Sequence, residues 1–225
     1  MDKQIVVAID GYVATGKWTV AKAISSLFWY VYLDTGAMYR AVTLYACRHG
    51  LLDADEQTKT AMMSQIDLSF AYNSDTGHSD ILLNGENVEK EIRQTTLSLK
   101  MKPIVTSPGV RSALIKKQQE LGDRGGIVMD GRDIGTVVFP EADLKIFLVA
   151  DVEVRAQRRK NQLFELWQEA NIDDIRQDIA YRDETDYLWP AAINRPAHDS
   201  IIIDTTYMTV DSVFQYVKEL LVSKR

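Results

Sequence analysis

The first fifty residues alternate between short apolar runs and stretches with helical spacing. The run Ile5–Asp10 (IVVAID) is rich in β-branched residues, which predicts a strand buried on both faces. Apolar residues in Val20–Phe28 recur at helical spacing, and Val31–Leu33 predicts a second strand. Thr35 is the predicted N-cap of a further helix, which stops at Gly50. Together these segments predict a βαβ unit followed by a helix.

The pattern changes between residues 66 and 92. Leu68, Phe70 and Tyr72 alternate with polar residues, which is typical of a strand with one buried face. Turn-forming residues follow, and Asn84-Gly85 is a strong hairpin signal because both residues tolerate positive φ. We therefore expect a small antiparallel insertion over residues 66–92.

The second half of the chain returns to alternating strands and helices. A β/α alternation with strands of four to seven residues favours an α/β fold, in which a parallel sheet is flanked by helices. Three helical segments are predicted: one that begins at Pro108, one from 152 to about 187, and one over Val210–Val222. The predicted strands are Ile127–Asp130, Leu144–Ala150 and Ser200–Asp204.

Composition narrows the classes of protein that this chain can represent. At 225 residues, with 46% apolar and 26% charged residues, it fits one globular domain with a modest insertion. A single cysteine, Cys47, allows no internal disulfide, and the N-terminus carries no signal-peptide pattern, so we expect a cytoplasmic protein. No apolar run reaches the roughly 18 residues that span a bilayer, which argues against a membrane role.

The net charge argues against a nucleic-acid partner. Lys and Arg number 26 against 32 Asp and Glu, which gives a formal charge of −6 and a pI near 5.1. Proteins that bind the phosphate backbone usually carry the opposite sign. Any anionic ligand must therefore be met by a local cluster of Arg and Lys.

The segment Gly11-Tyr12-Val13-Ala14-Thr15-Gly16-Lys17 carries the clearest chemical signal. It follows a predicted buried strand and precedes a predicted helix, as a phosphate-binding loop requires: its amides converge on phosphate oxygens and Lys17 reaches the β- and γ-phosphates. The pattern departs at Trp18, where a Ser or Thr hydroxyl would bind Mg²⁺, and Thr19 lies one position later. The alternative is an ordinary glycine-rich turn with an incidental lysine.

Two polar clusters follow predicted strands. After the second strand, Tyr39 and Arg40 are candidates to hold a ring and a phosphate; the alternative is a core tyrosine and a solvated arginine. After the strand Ile127–Asp130, Arg132 offers a guanidinium whose shape fits phosphate. Because parallel strands end at one edge of a sheet, where ligands bind, the two clusters together favour a site.

Further charged residues lie in the predicted helical stretch 152–187. Arg155, Arg158 and Arg159 share one helical face, and Asp183 and Asp186 share another. A solvated, salt-bridged helix is the commoner meaning of such a run. The histidines lack metal-ligand spacing, and Cys47 has no neighbouring base, so neither residue type predicts a site.

Taken together, these segments resemble the bacterial cytidylate kinases, which phosphorylate CMP and dCMP. The resemblance covers nearly the whole chain, and LDTGAMYRA and DGRDIGTVVFP are more specific than the phosphate loop alone. It is carried by IVVAIDG with GKWT, YLDTGAMYRAVTLYA, VMDGRDIGTVVFPEADLKIFL, the run Arg155–Arg159, and Arg182–Asp186. It implies a single P-loop kinase domain over 1–225, with the 66–92 insertion beside the acceptor nucleotide and a helical lid over 152–170.

The resemblance also implies roles for individual residues. ATP with Mg²⁺ and CMP or dCMP are the implied ligands, and a monomer is the implied state. The implied ATP-binding residues are Gly11, Thr15, Gly16, Lys17, Thr19 and Arg158, with Thr19 also near Mg²⁺. The implied acceptor-binding residues are Thr35, Tyr39, Arg40, Arg111, Asp130, Arg132, Asp133, Arg182 and Asp186. The implied catalytic residues are Lys17, Arg132, Arg155, Arg159 and Arg182.

The chain departs from the family pattern at several positions. Trp18 replaces a Gly or Ser, Lys102 replaces an expected serine, and Trp189 replaces an expected arginine. Trp29 and Trp167 stand where the pattern favours glycine. These departures motivate an alternative, a nucleotide-binding protein of the same fold with impaired catalysis. A P-loop kinase for another small acceptor is a third, less favoured interpretation.

Overall fold

A computed structural model describes residues 4–73, 78–123, 125–165, 168–188 and 194–224. The chain divides into two compact units. The first comprises residues 1–30 and 126–225, and the second comprises residues 31–125. The predicted α/β class, with a parallel sheet, flanking helices and a small antiparallel sheet, is confirmed.

The first unit is built on parallel strands, as the uninterrupted apolar runs predict. The strands are β1 (Val6–Gly11), β6 (Ile127–Asp130), β7 (Leu144–Val149) and β8 (Ile201–Asp204). Strand β1 pairs in parallel with β6 on one side and with β7 on the other, and β7 also pairs with β8. Central placement explains why Val7, Ala8 and Ile9 are fully buried.

The helices of this unit differ from the prediction in one respect. The helical stretch predicted over 152 to about 187 is two helices, so the prediction of one continuous element is wrong. The second begins where the Asn171 side chain accepts the backbone N–H of Asp173 at 2.7 Å, a capping bond that starts a new helix. The helices are α1 (Lys17–Phe28), α7 (Val152–Glu165), α8 (Ile172–Leu188) and α9 (Val210–Val222), with a π-helical turn at Ile134–Val138.

The second unit begins with strand β2 (Val31–Asp34) and helix α2 (Thr35–Arg48). The N-cap of α2 is Asp34, whose carboxylate accepts the N–H of Ala37 at 2.8 Å, and Thr35 is the first helical residue. The sequence prediction that Thr35 is the cap is therefore wrong by one position. Both residue types cap well, but the carboxylate also interacts favourably with the positive end of the helix dipole.

A three-stranded antiparallel sheet lies in the second unit. Strand β3 (Leu68–Asn73) pairs with β4 (His78–Leu83), and β4 pairs with the short β5 (Glu86–Asn87). Asn84 and Gly85 join β4 to β5 with φ values of 50° and 82°, as the predicted hairpin requires. The remaining helices of this unit are α3 (Glu56–Met62), α4 (Thr95–Ser98), α5 (Lys102–Val105) and α6 (Pro108–Gly122), with 3₁₀ turns at Met63–Gln65 and Glu91–Arg93.

Apolar residues of α2, the antiparallel sheet and α6 form the core of the second unit. Met38, Ile81 and Leu114 are fully buried there. Across the described ranges of both units, no helix is long and apolar enough to cross a membrane.

Candidate active site

The loop between β1 and α1 turns sharply over its two outer glycines. Gly11 has φ 141°, and a Cβ there would lie 2.1 Å from the carbonyl oxygen of Leu148 on β7. Gly16 has φ 95° and is the N-cap of α1, so the cap supplies no side-chain acceptor to the first helical amides. The positive end of the α1 dipole lies at the same place. This arrangement is what an anion-binding loop needs.

Two cationic side chains converge on the start of this loop. Lys17 donates from Nζ to the carbonyl oxygens of Gly11 at 2.8 Å and Tyr12 at 2.6 Å. Arg132 donates from Nη1 to the same Gly11 oxygen at 2.6 Å. Burial, followed by the charge of Arg132, lowers the pKa of Lys17 to about 7. One neutral oxygen thus accepts hydrogen bonds from two basic groups beside a loop suited to phosphate.

A buried threonine connects the phosphate loop to helix α7. The Thr205 hydroxyl lies 3.2 Å from the carbonyl oxygen of Thr15 and accepts from Nη1 of Arg158 at 3.0 Å. Arg158 also donates to the Thr205 carbonyl oxygen at 2.7 Å, and burial lowers its pKa. The Thr15 hydroxyl in turn donates to the Tyr12 carbonyl at 2.9 Å. Predicted ATP-side residues therefore share one hydrogen-bond network.

Arg155 is buried, and its contacts are structural. It donates to the carbonyl oxygen of Ala150 at 2.9 Å and to Asp183 Oδ2 at 2.7 Å. Its guanidinium carbon also lies 5.4 Å from the ring centroid of Tyr12. Arg155 thereby joins the end of β7, the phosphate loop and α8. Asp183, which the sequence did not single out as a ligand-binding residue, is the carboxylate that pairs with it.

Three other candidate arginines of the first unit lie on different elements. Nε of Arg132 lies 2.8 Å from Asp186 Oδ2. Arg182 lies 3.9 Å from Asp178, and although 44% of its side chain is exposed, the surrounding protein and the charge of Arg132 lower its pKa to about 10. Arg159 donates to Gln162 at 2.7 Å, one turn along α7.

In the second unit, two arginines flank one carboxylate. Arg40 Nη2 lies 3.2 Å from Asp34 Oδ2, and Arg93 Nη2 lies 2.9 Å from the same oxygen. Burial acts to raise the pKa of Asp34, but the two guanidinium groups hold it below its usual value. Arg93 also pairs with Glu89 at 2.6 Å. Sequence reasoning missed Arg93, because it lies 59 positions from Asp34 and no local motif marks it.

The other acceptor-side residues of the second unit occupy different environments. Thr35 is buried, and Tyr39 is half-buried and packs against the apolar core. Arg111 is half-buried in the first turns of α6, while Lys102 is exposed at the start of α5.

Two of the atypical tryptophans lie at the ends of α1, and only Trp18 has a contact that accounts for its side chain. Trp18, in the first turn, is 42% exposed, and Nζ of Lys22 lies 3.8 Å from its ring centroid. Trp29 is 92% exposed and has φ 59° at the C-terminal end of α1, a left-handed position that favours glycine. Trp167 and Trp189 lie outside the described residues.

Acidic and sulfur ligands for a resident metal are not gathered anywhere in the described ranges. No group of three or more His, Cys, Asp or Glu residues among them has metal-binding geometry. Cys47 is a partly buried free thiol that packs against the core of the second unit, and His49 stacks on Tyr45 with centroids 4.0 Å apart.

A glycine-bounded phosphate loop between a central parallel strand and a helix, with Lys17 at its end and arginines around it, defines a P-loop kinase. A family model described as cytidylate kinase matches residues 7–223. The chain therefore belongs to the cytidylate kinase family and is a nucleoside monophosphate kinase, a phosphotransferase.

Individual relatives support the same assignment. Cytidylate kinase of Parabacteroides distasonis is 46% identical over 93% of this chain and 93% of its own length. Cytidylate kinase of Cytophaga hutchinsonii is 45% identical over 99% of this chain and 95% of its own. Nothing in these relationships favours the catalytically impaired alternative.

A solved structure of an uncharacterized protein from Eubacterium ventriosum shares the fold. It has a TM-score of 0.53 and 11% identity, and the match covers 98% of this chain and 99% of that chain. At this identity the likeness supports the fold alone.

Proposed function

We propose that this protein transfers the γ-phosphoryl group of ATP to CMP and dCMP, producing the corresponding diphosphates. The observation that carries the proposal is the convergence of Lys17 and Arg132 on the Gly11 carbonyl, directly beside the N-terminus of α1. Phosphoryl transfer needs positive charge and positioning more than covalent chemistry from the protein. Two cations beside a phosphate loop supply that charge.

On the donor side, the loop amides and Lys17 bind the ATP phosphates. When phosphate oxygens enter the loop, Lys17 exchanges its two carbonyl acceptors for them, which costs little because those acceptors are neutral. Arg158 and Thr15 belong to the donor side through their shared contacts with Thr205. The proposed donor residues are Gly11, Thr15, Gly16, Lys17, Thr19 and Arg158.

The residues of the described ranges fit a Mg²⁺ ion that ATP carries into the site. They hold no acidic cluster that would form a resident cage, and Mg²⁺ commonly keeps several waters and binds substrate phosphates. The Thr19 hydroxyl, in the first turn of α1, is the proposed protein ligand. When bound, Mg²⁺ neutralises charge on the β- and γ-phosphates.

On the acceptor side, arginines hold the phosphate and carboxylates hold the sugar hydroxyls. We assign Asp186, 2.8 Å from Arg132, to the sugar hydroxyls, and Arg40 to the acceptor phosphate. As charge spreads over the transferred group, Lys17, Arg132, Arg159 and Arg182 balance it, while Arg155 holds the loop and α8 together. The remaining proposed acceptor residues are Thr35, Tyr39, Arg111, Asp130 and Asp133.

A coupled assay of ADP release tests the proposal. We expect ATP-dependent turnover with CMP and dCMP, and much less with UMP or AMP. Nucleotide binding by calorimetry without turnover would instead support the impaired alternative, and turnover only with a sugar-like acceptor would support the third interpretation. The Trp18→Gly variant provides a check: because the wild-type indole packs against Lys22, we expect its removal to leave the rate unchanged.

A further inference from the structure

One buried carboxylate in the first unit has no role in the function proposed so far. Asp10 is the fifth residue of β1 and is only 4% exposed. Its two oxygens accept different backbone amides, Ile134 N–H at 2.8 Å and Gly135 N–H at 2.7 Å. Burial raises the pKa of Asp10 to about 7, although these two hydrogen bonds oppose the shift. A carboxylate is a costly residue to place in a central strand, so its contacts need an explanation.

The hydrogen bonds of Asp10 hold the segment that follows β6 in place. Gly131 donates its N–H to the carbonyl oxygen of Ile9 at 3.1 Å, and Ile134 and Gly135 donate to Asp10. We call residues 131–135 the arc. Its first residue is thus bound by Ile9 and its last two by Asp10, the next residue of β1. The middle of this arc carries Arg132 and Asp133, which are proposed site residues.

The fastened arc directs Arg132 to the next residue of β1. Arg132 reaches the Gly11 carbonyl oxygen at 2.6 Å, and Lys17 reaches the same oxygen at 2.8 Å. Three consecutive residues of β1 therefore bind the arc. Ile9 accepts from its first residue, Asp10 accepts from its last two residues, and Gly11 accepts from the Arg132 side chain. The Asp10 carboxylate is the side chain that closes the end of the arc.

The arc is also packed tightly on the side of β7. A Cβ at Gly135 would lie 3.2 Å from Cδ of Lys145 and 3.4 Å from Asp10 Oδ2. Lys145 is itself held by Asp199 at 2.9 Å. Position 135 therefore has little room for a side chain between Lys145 and the carboxylate.

We propose that Asp10 is a positioning residue for phosphoryl transfer, which holds Arg132 beside Lys17 by binding the backbone of Ile134 and Gly135. The proposal rests on the proposed function of the site. Asp10 acts through the placement of the Arg132 guanidinium, and its charge also acts to raise the pKa of Lys17.

The Asp10→Asn variant tests this role with minimal change of volume. An amide has one acceptor oxygen, and its NH₂ group would face a backbone N–H, so one of the two bonds is lost. We expect kcat with CMP to fall about 10- to 100-fold, because small misplacements of a charge-balancing group have effects of this size. The KM for ATP changes less, since the loop itself is intact. Measurements are made well below the unfolding temperature of each variant.

A double-mutant cycle separates positioning from a general effect on stability. In an Arg132→Ala background, Asp10→Asn should change kcat by no more than about twofold, because the group that it positions is gone. An equal loss of kcat in both backgrounds, or no loss in the single variant, would overturn the proposal. Wild-type protein without turnover on any nucleoside monophosphate would overturn the proposed function as well, so the two failures are distinguishable.

Two further variants guard against misfolding. Asp199→Asn removes the ion pair of Lys145 in the same region, and we expect it to lower the unfolding temperature while kcat stays within about twofold. Gly135→Ala disturbs the arc by adding a methyl group that crowds Lys145, and it keeps the Asp10 carboxylate itself. If Asp10→Asn does not fold, Gly135→Ala in the same cycle must show the same dependence on Arg132, or the proposal fails.

Discussion

Lys17 and Arg158 beside the phosphate loop are held differently from the arginines around Asp34. Beside the phosphate loop, Lys17 and Arg158 donate to carbonyl and hydroxyl oxygens, which carry no net charge. In the second unit, Arg40 and Arg93 flank the carboxylate of Asp34. A basic group held on neutral oxygens can turn to an incoming phosphate without leaving an opposite charge behind, whereas a cation on a carboxylate must be shared with it or released from it.

This difference suggests different tasks for the two sets of cations. The loop cations are poised to attract and bind a highly charged donor, because exchanging a carbonyl for a phosphate oxygen gains a charge interaction. The Asp34 cluster is fixed in geometry before any ligand arrives, which favours selectivity over raw affinity. Substitutions on each side separate the two tasks.

Removal of the loop lysine should have the largest effect. We expect Lys17→Ala to lower kcat by about 10²- to 10³-fold, because a charge aimed at the transferred group is lost. The ADP-release assay measures this change. Lys22→Ala is the matched control, since Lys22 lies one turn along α1 over the Trp18 ring and should leave kcat unchanged. A mild effect of Lys17→Ala would mean that the loop cations do not drive donor binding or transfer.

Removal of the carboxylate-bound arginine should act on the acceptor. We expect Arg40→Ala to raise the KM for CMP by roughly 30-fold or more, equivalent to about 2 kcal/mol, with little change in the KM for ATP. Arg48→Ala is the control, because Arg48 forms a similar cluster with Glu86 and Glu91 at the exposed end of α2. Equal effects on both KM values would remove the proposed division of tasks.

Donor binding should be accompanied by proton uptake. In the ligand-free protein, burial lowers the pKa of Lys17 to about 7, so at pH 8 the amine is largely neutral. Phosphate oxygens raise that pKa, and binding at pH 8 should take up as much as about one proton, falling toward zero at pH 6. Calorimetry of ATP binding in buffers of different ionisation enthalpy measures the uptake. Lys17→Met should lose it, and uptake unchanged in that variant would exclude Lys17 as the source.

Replacing each of the tryptophans at the ends of α1 by glycine should change the free energy of unfolding in opposite directions. Trp29→Gly relieves a left-handed backbone, so we expect a gain of about 1 kcal/mol in the free energy of unfolding, seen as a Tm increase of about 2–4 °C. Trp18→Gly places glycine inside a helix and should cost about 0.5–1 kcal/mol. Thermal unfolding of both variants tests the contrast. Stabilisation by both, or by neither, would contradict the backbone explanation.

The sequence predicted those features that depend on neighbouring residues. The Asn84-Gly85 turn and the phosphate loop follow from local backbone requirements, and the structure has both features. The cap of α2 was misplaced by one residue because Asp34 and Thr35 are both good caps. Asp10 and Arg93 were missed as site residues because their partners are distant in sequence, and only the folded chain brings them together.

The position of β1 in its sheet has a consequence for how the chain folds. β1 begins at residue 6, but both strands that pair with it lie beyond residue 126. During synthesis, more than a hundred further residues must be added before either partner strand is available. Until then, both hydrogen-bonding edges of this apolar strand are unpaired within the sheet. Such strands are prone to pair with other chains, and long-range parallel pairing is slow. The strand that carries the phosphate loop is therefore made before both of its pairing partners, and its sheet is completed only after about half of the chain has followed it.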